Sequence, residues 1–323
     1  MPIVTLKDIQ EARNRLHGVA VHTPLLEWTR GGDERRLFLK LENLQPIGAF
    51  KLRGAYNKIA QLSEEERRRG VISYSSGNHA QGVAYAARTM GVKAIIVMPG
   101  SAPRNKLDST AALGAEIVKV GPSSEERRLL AEQLAAEHGY AIVPPYDDEK
   151  IIAGQGTTGL EILEDLPEVE SVLVPVGGGG LISGISAALK LSKPSVKVIG
   201  VEPELAGDAK ASLEAGYIVS FSAEQVTQTL ADGLRTQSVG AHNFEHMQKY
   251  VDGIIAVTED EIRRALEALS QDPKTVAEPS GAVTVAAFLY HQDELPKTRI
   301  NVAVISGGNI DPKLLADIRH RPS

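Results

Sequence analysis

The 323-residue chain carries a net charge of -6, with 42% hydrophobic and 24% charged residues, a composition of packed soluble proteins and a length suited to about two domains. Acidic and basic residues are interspersed, so no basic face stands ready for a nucleic-acid backbone or anionic lipid, and no apolar run approaches the length that spans a bilayer. The absence of cysteine removes disulfides, thiolate nucleophiles and thiolate metal sites together, leaving Lys, Ser, His and carboxylates as the reactive inventory.

The opening stretch MPIVTLKDIQEARNRL reads as a capped amphipathic helix rather than a signal peptide, which makes the cytoplasm the default address. In GAFKLRGAY, residues 48–56, Lys51 and Arg53 stand among small and apolar neighbours, so Lys51 is either a solvated charge or a buried amine. LSEEERRRGVI holds a capping box, Ser63 with Glu66, in a solvated helix near a first domain boundary between residues 61 and 72. From Gly70, short β-branched runs alternate with helical patterns: GVISY, 80–90, KAIIVM, 104–113, AEIVKV and 124–138. Strands apolar on both sides require helices over both faces, the grammar of a parallel doubly wound sheet. A second boundary falls at VPPYDDEK, where prolines and acids interrupt the periodicity. The pattern returns with SVLVPV, a helix from Leu181, VKVIGV, helices from Asp260 and Ser280, and INVAVI, so the chain reads as two α/β units.

SVLVPVGGGGLISGISAALK sets Gly177, Gly178, Gly179 and Gly180 between a strand and an apolar helix, where backbone N–H groups and the helix dipole can hold a phosphate. A tight turn alone would need one or two glycines. GQGTTG at 154–159 matches the dinucleotide fingerprint, yet it follows only the short KIIA and lacks an acidic partner, so the match is read as accidental. ISYSSGNHAQGVAYAAR places Ser75, Ser76, Gly77, Asn78 and His79 at a strand-to-helix turn, where their donors suit a carboxylate or, with even odds, Ser and Asn cap the helix. AVISGGNID repeats the layout from Ser306, making three polar strand ends candidates for one crevice. His242, Glu245 and His246 lack the H-E-x-x-H order and a third ligand, and read as part of a surface helix. In AEPSGAVTVAAFL, Ser280 reads as an N-cap and Glu278 receives no catalytic role.

ENLQPIGAFKLRGA, SSGNHAQGVAYAA, IAGQGT, VPVGGGGLISG, VEPE and SGGN, in this order and over nearly the whole chain, resemble the fold type II pyridoxal-phosphate enzymes, specifically the serine/threonine dehydratase and serine racemase group. The resemblance implies a tryptophan synthase β-like fold, two doubly wound open-sheet α/β domains with the cofactor in the cleft between them. Residues 1–65 and 149–323 would form the large cofactor-binding domain and 66–148 a small mobile domain carrying the substrate loop. It implies that Lys51 forms the Schiff base with pyridoxal 5'-phosphate and that Phe50 packs beside the ring. Gly177, Gly178, Gly179 and Gly180 would hold the phosphate, Asn78 the 3-hydroxyl and Ser306 the pyridine nitrogen. Ser75, Ser76, Gly77, Asn78 and His79 would form the substrate-carboxylate loop. Desolvation and the nearby cation of Arg53 would both help the Lys51 amine lose its proton. A neutral hydroxyl at 306 cannot hold the pyridine nitrogen protonated, which favours elimination over transamination.

The implied activity is that of a lyase dehydrating a β-hydroxy-α-amino acid, L-threonine or L-serine, to a 2-oxo acid and ammonia. A serine racemase, or a dehydratase of 3-hydroxyaspartate or phenylserine, is the alternative within the group, and a non-catalytic phosphate-binding module is the alternative outside it. Ser76 matches the opposite-face base of racemase-like members, whereas Tyr146 stands where racemase-type sequences tend to carry asparagine, so dehydration ranks above racemisation. GVEPELAGDA resembles the divalent-cation site of the racemase-like branch, with Glu202, the Ala206 carbonyl and Asp208 as hard oxygen ligands for Mg²⁺ or Ca²⁺; read by residue alone it is a solvated acidic turn. A homodimer is implied as well, and, because the chain stops soon after SGGNID, no isoleucine-responsive regulatory domain is expected.

Overall fold

The β-branched and aliphatic runs become strands wherever alternate residues can be buried on opposite faces. In the computed structural model, which describes residues 3–29, 35–75, 77–102, 104–121 and 124–319, the strands in chain order are β1 (Leu25–Trp28), β2 (Arg36–Leu41), β3 (Val71–Tyr74), β4 (Ala94–Pro99), β5 (Glu116–Val120), β6 (Ala141–Ile142), β7 (Ser171–Pro175), β8 (Lys197–Pro203), β9 (Gly253–Val257) and β10 (Ile300–Ile305). They form a six-stranded sheet ordered β1-β2-β10-β7-β8-β9 and a four-stranded sheet ordered β5-β4-β3-β6. Only the β1–β2 pair of these is antiparallel among the described residues; every other neighbour runs parallel.

The larger sheet is wound on both sides, as period-two burial requires. Leu37, Leu39, Val201, Ala303 and Ile305 face the helices Glu259–Leu269 and Pro279–Tyr290. The intervening residues Phe38, Val172, Val198 and Val302, aligned across the sheet, face the helices Gly180–Ser192 and Ala241–Tyr250. The smaller sheet repeats the plan: Val71, Ile96 and Met98 pack under the helices Lys51–Ala60 and Asn78–Thr89, while Ile72, Ile95 and Val97 pack against Ser124–His138. The expected fold class is the observed one.

GQGTTG lies in the middle of the long helix Glu149–Asp165, not at a strand-to-helix turn, so it seats no dinucleotide. Its glycines serve packing. A Cβ on Gly154 would lie 2.7 Å from the Arg53 carbonyl oxygen, and one on Gly156 or Gly159 would lie 3.0 Å from the carbonyl of Gly184 or Ile185. Missing side chains thus let this helix approach both the helix carrying Lys51 and the helix leaving the four-glycine turn at backbone distance.

Two expectations fail here. The helix with His242 and His246 is not a surface helix: His246 is fully buried, its Nε2 accepting from the Val4 N–H at 2.9 Å and its Nδ1–H donating to the His242 carbonyl at 2.6 Å. Ser280 is not an N-cap either. Glu278 holds that position, Pro279 opens the helix, and the Ser280 hydroxyl accepts from the Gly233 N–H at 2.9 Å.

Candidate active site

A cleft of about 510 Å³ opens at the carboxyl ends of β3, β7 and β10, lined by Ser75, by Gly177 to Gly180 and by Ser306, the place where parallel α/β sheets bind ligands. The three polar strand ends therefore meet in one crevice. Phe50, Lys51, Gly77, Asn78, His79, Tyr146 and Glu278 line it too. Ser76 lies outside the described residues.

Lys51 is the first residue of its helix, and its Nζ donates to the Pro145 carbonyl at 2.6 Å and stands 5.2 Å from the centre of the Phe50 ring. Burial pulls its pKa down to about 8, against the opposing attraction of Glu278. The segment is tied to the Ser306 loop by its backbone: Phe50 N–H donates to the Ser306 carbonyl at 3.1 Å and Gly308 N–H to the Gly48 carbonyl at 2.9 Å. Ser306 itself is buried.

Arg53 does not depress Lys51. Its guanidinium points away and forks onto two buried carboxylates, Glu42 at 2.8 Å and Glu161 at 2.6 and 2.8 Å, while the buried Lys40 ammonium holds Glu161 at 2.7 Å. These partners raise the Arg53 pKa despite its burial, so the cation is neutralised locally. Desolvation is what lowers Lys51.

The four-glycine turn leaves β7 with Gly179 at φ +94°, a left-handed conformation costly for any other residue, and enters the helix without a side-chain cap. A Cβ on Gly178 would run into the Tyr146 ring. Close packing of the linker 145–148 thus accounts for part of the glycine run. Asp147 continues that linker by accepting from the His242 N–H at 2.9 Å, and the Asn243 amide donates to the Gly178 carbonyl at 2.9 Å.

Gly77, not Asn78, is the N-cap of the helix Asn78–Thr89, and among the described residues no side chain caps its first turn. Its leading N–H groups therefore remain for an anion. Asn78 is engaged elsewhere, donating to Glu278 at 2.6 Å and accepting from Asn309 at 2.8 Å. Ser75 Oγ accepts from the Gly77 N–H at 3.4 Å. His79 is buried and neutral, its pKa pulled down to about 3 by burial and the Lys51 charge, with Nε2 bonded to the Val143 carbonyl at 3.0 Å. Its Nδ1 is buried without a hydrogen-bond partner among the described residues.

Glu278, to which the sequence reading assigns no catalytic role although it could end near the cofactor ring, lines the cleft. Burial pushes its pKa up to about 7, helped by the charge of Asp232. The signal available was an acid directly before a proline that opens an apolar helix.

Away from the cleft, Glu202, Ala206 and Asp208 are buried rather than a solvated turn. Glu202 accepts from the N–H groups of Ala209 at 3.1 Å and Lys210 at 2.8 Å, and burial raises its pKa to about 8. Burial likewise raises Asp208 to about 7 and leaves its Oδ2 without a hydrogen-bond partner. No group of three acidic, His or Cys side chains suited to a metal occurs among the described residues. Two carboxylates and a carbonyl nevertheless fit a hard divalent ion, which would satisfy the orphaned oxygen.

The sequence profile described as pyridoxal-phosphate dependent enzyme matches residues 18–307. The L-threonine ammonia-lyase of Thermotoga maritima is 49% identical over 97% of this chain and 77% of its own. The L-threo-3-hydroxyaspartate ammonia-lyase of Saccharomyces cerevisiae is 39% identical over 98% of this chain and 97% of its own. Among solved structures, maize serine racemase superposes with a TM-score of 0.93 at 35% identity, covering 98% of this chain and 97% of that one. A buried, partly deprotonated amine facing an uncapped glycine turn is what a phosphorylated aldehyde needs, and with the profile matching along most of the sequence, this chain belongs to the pyridoxal-phosphate dependent enzymes.

Proposed function

We propose that the chain dehydrates a β-hydroxy-α-amino acid, L-threonine first and L-serine second, to the 2-oxo acid and ammonia. The observation that carries this reading is the desolvated Lys51 amine, lining one cleft with the glycine turn and Ser306. Bound pyridoxal phosphate supplies an electrophilic aldehyde and a conjugated ring that takes up the electron pair left by the α-proton. Lys51 anchors the cofactor and, once released, carries the α-proton and returns a proton to the departing hydroxyl. Gly177, Gly178, Gly179 and Gly180 hold the phosphate, Ser306 the ring nitrogen, Asn78 the 3-oxygen, and Phe50 packs beside the ring. The substrate carboxylate sits on the leading N–H groups of the helix Asn78–Thr89, with Ser75, Ser76, Gly77 and His79 contributing through their backbone or hydroxyls. The smaller sheet moves with residues 66–148, and the enzyme works as a cytoplasmic homodimer.

The dicarboxylic alternative, 3-hydroxyaspartate, has its own support, since Lys106, Arg127, Arg128 and Arg235 line the cleft. These cations are already engaged, among them Lys106 with Asp232, Arg128 with Glu132, and Arg235 with the Thr229 carbonyl. Threonine therefore ranks first. The test is release of 2-oxo acid and ammonia from L-threonine, L-serine, L-threo-3-hydroxyaspartate and phenylserine by the purified protein, with the highest kcat/KM expected for threonine. No release from any of them ends the dehydratase reading. Racemisation through Ser76 is a slower side reaction, visible by chiral analysis of recovered serine; inversion faster than elimination would reverse the order.

Two further results are expected. Below pH 8 the Lys51 amine is mostly protonated and only its neutral fraction reacts, so the rate at which the apoprotein takes up pyridoxal phosphate should climb with pH through about 8 and then level. A rise continuing toward 10.5 would mean an exposed lysine. Mg²⁺ or Ca²⁺ bound by Glu202, Asp208 and the Ala206 carbonyl should stabilise the fold by about 2.7 kcal/mol at a concentration roughly a hundredfold above Kd, read as a rise in the unfolding midpoint. Asp208→Asn should abolish that rise, and equal unfolding with and without the ion would remove the site.

A further inference from the structure

Asn78 and Glu278, distant in sequence, meet on one wall of the cleft, and Asn309 is bonded to Asn78. Glu278 has little freedom there. Its backbone N–H donates to the Gly307 carbonyl at 3.0 Å, and a Cβ on Gly307 would lie 2.5 Å from its Oε1. Asn309 Nδ2 donates to the Ile47 carbonyl at 2.9 Å and to Asn78 Oδ1 at 2.8 Å. Asn78 Nδ2 donates to Glu278 Oε1 at 2.6 Å.

This chain of bonds dictates which end of each carboxamide is nitrogen. The Ile47 carbonyl only accepts, so the Asn309 atom facing it is nitrogen, and that nitrogen offers its second hydrogen to Asn78. The Asn78 atom receiving it must be oxygen. Its nitrogen is then turned to the Glu278 carboxylate, which uses one hydrogen and leaves the other unspent on a side chain that lines the cleft.

We propose that Glu278 is a positioning residue for the cofactor: together with Asn309 it locks the Asn78 carboxamide in one orientation, so that the remaining N–H is presented to the 3-oxygen of pyridoxal phosphate. The inference deepens the proposed function and rests on Asn78 being the ligand of that oxygen. A free carboxamide flips between two orientations and would offer its oxygen half the time, repelling the cofactor oxygen. The clamp removes that option. The charges around Glu278 are Asp232, Lys106 and Lys51, and none of them appears as its hydrogen-bond partner, whereas Asn78 does.

The test uses the holoenzyme in five forms: wild type, Asn78→Ala, Glu278→Ala, Glu278→Gln and the double Asn78→Ala, Glu278→Ala. The visible absorption maximum of the bound cofactor and its dissociation constant are read for each. Asn78→Ala and Glu278→Ala should move the band in the same direction and weaken retention about tenfold, the scale of one hydrogen bond. The double variant should be no weaker than Asn78→Ala alone, and Glu278→Gln, which keeps an acceptor oxygen, should restore the wild-type band. Glu278→Leu carries the same expectation as Ala should the smaller residue not fold. A Glu278→Ala band like the wild type, additive losses in the double variant, or a Gln variant as weak as Ala would each overturn the proposal. An Asn78→Ala band like the wild type would instead break the assignment of Asn78 and take the proposal with it.

Discussion

Lys51→Ala should lower kcat by about 10⁴-fold or more, because one side chain both anchors the cofactor and carries the proton, and general acid–base transfer alone is worth about 10² to 10⁴. The variant should lose the visible absorption that survives dialysis in the wild type. Borohydride reduction of wild-type enzyme followed by peptide mapping should place the adduct at residue 51, and an adduct on Lys40, Lys106 or any other lysine would sink the assignment. Folding should not suffer. Among the described residues the Lys51 ammonium makes one hydrogen bond, to the Pro145 carbonyl, and its pKa of about 8 records that the protein disfavours the charged form. A large drop in unfolding temperature would therefore contradict the description of this side chain as held for chemistry rather than for packing.

Arg53→Leu is expected to have the largest effect on stability. Glu42 and Glu161 would be left buried, with Lys40 as the remaining cation in contact with Glu161. Breaking a buried ion pair by removing one partner costs about 3 to 5 kcal/mol, because the survivors keep their desolvation penalty without compensation. Arg53→Lys should recover little, since an ammonium cannot fork onto two carboxylates. Thermal unfolding and turnover measured together separate the two consequences. An Arg53→Leu protein as stable as wild type would show that the network is not holding the helix that begins at Lys51.

Much of the fold was written in local pattern. Runs such as INVAVI and SVLVPV could only be strands covered on both faces, and glycine and polar clusters at three strand ends pointed to one crevice. What stayed hidden depends on contacts between residues distant in sequence. Nothing near Arg53 reveals that its charge is cancelled by Glu42 and by Glu161 on another helix, so its supposed influence on Lys51 was reasonable and wrong. Glu278 gains its role from Asn78, 200 positions away in the chain. GQGTTG illustrates the reverse error that periodicity guards against: glycines spaced for a nucleotide turned out to be spaced for helix contacts. The buried His246 escaped because its two partners are backbone groups, one of them on Val4.

The strand order has a consequence for biosynthesis. β10, last in chain order among the described strands, sits between β2 and β7, so those two sheet edges stay unpaired until it docks. Ser306 follows β10 directly and its carbonyl receives the Phe50 N–H. Docking of β10 between its neighbours and completion of this wall of the cleft are therefore one event.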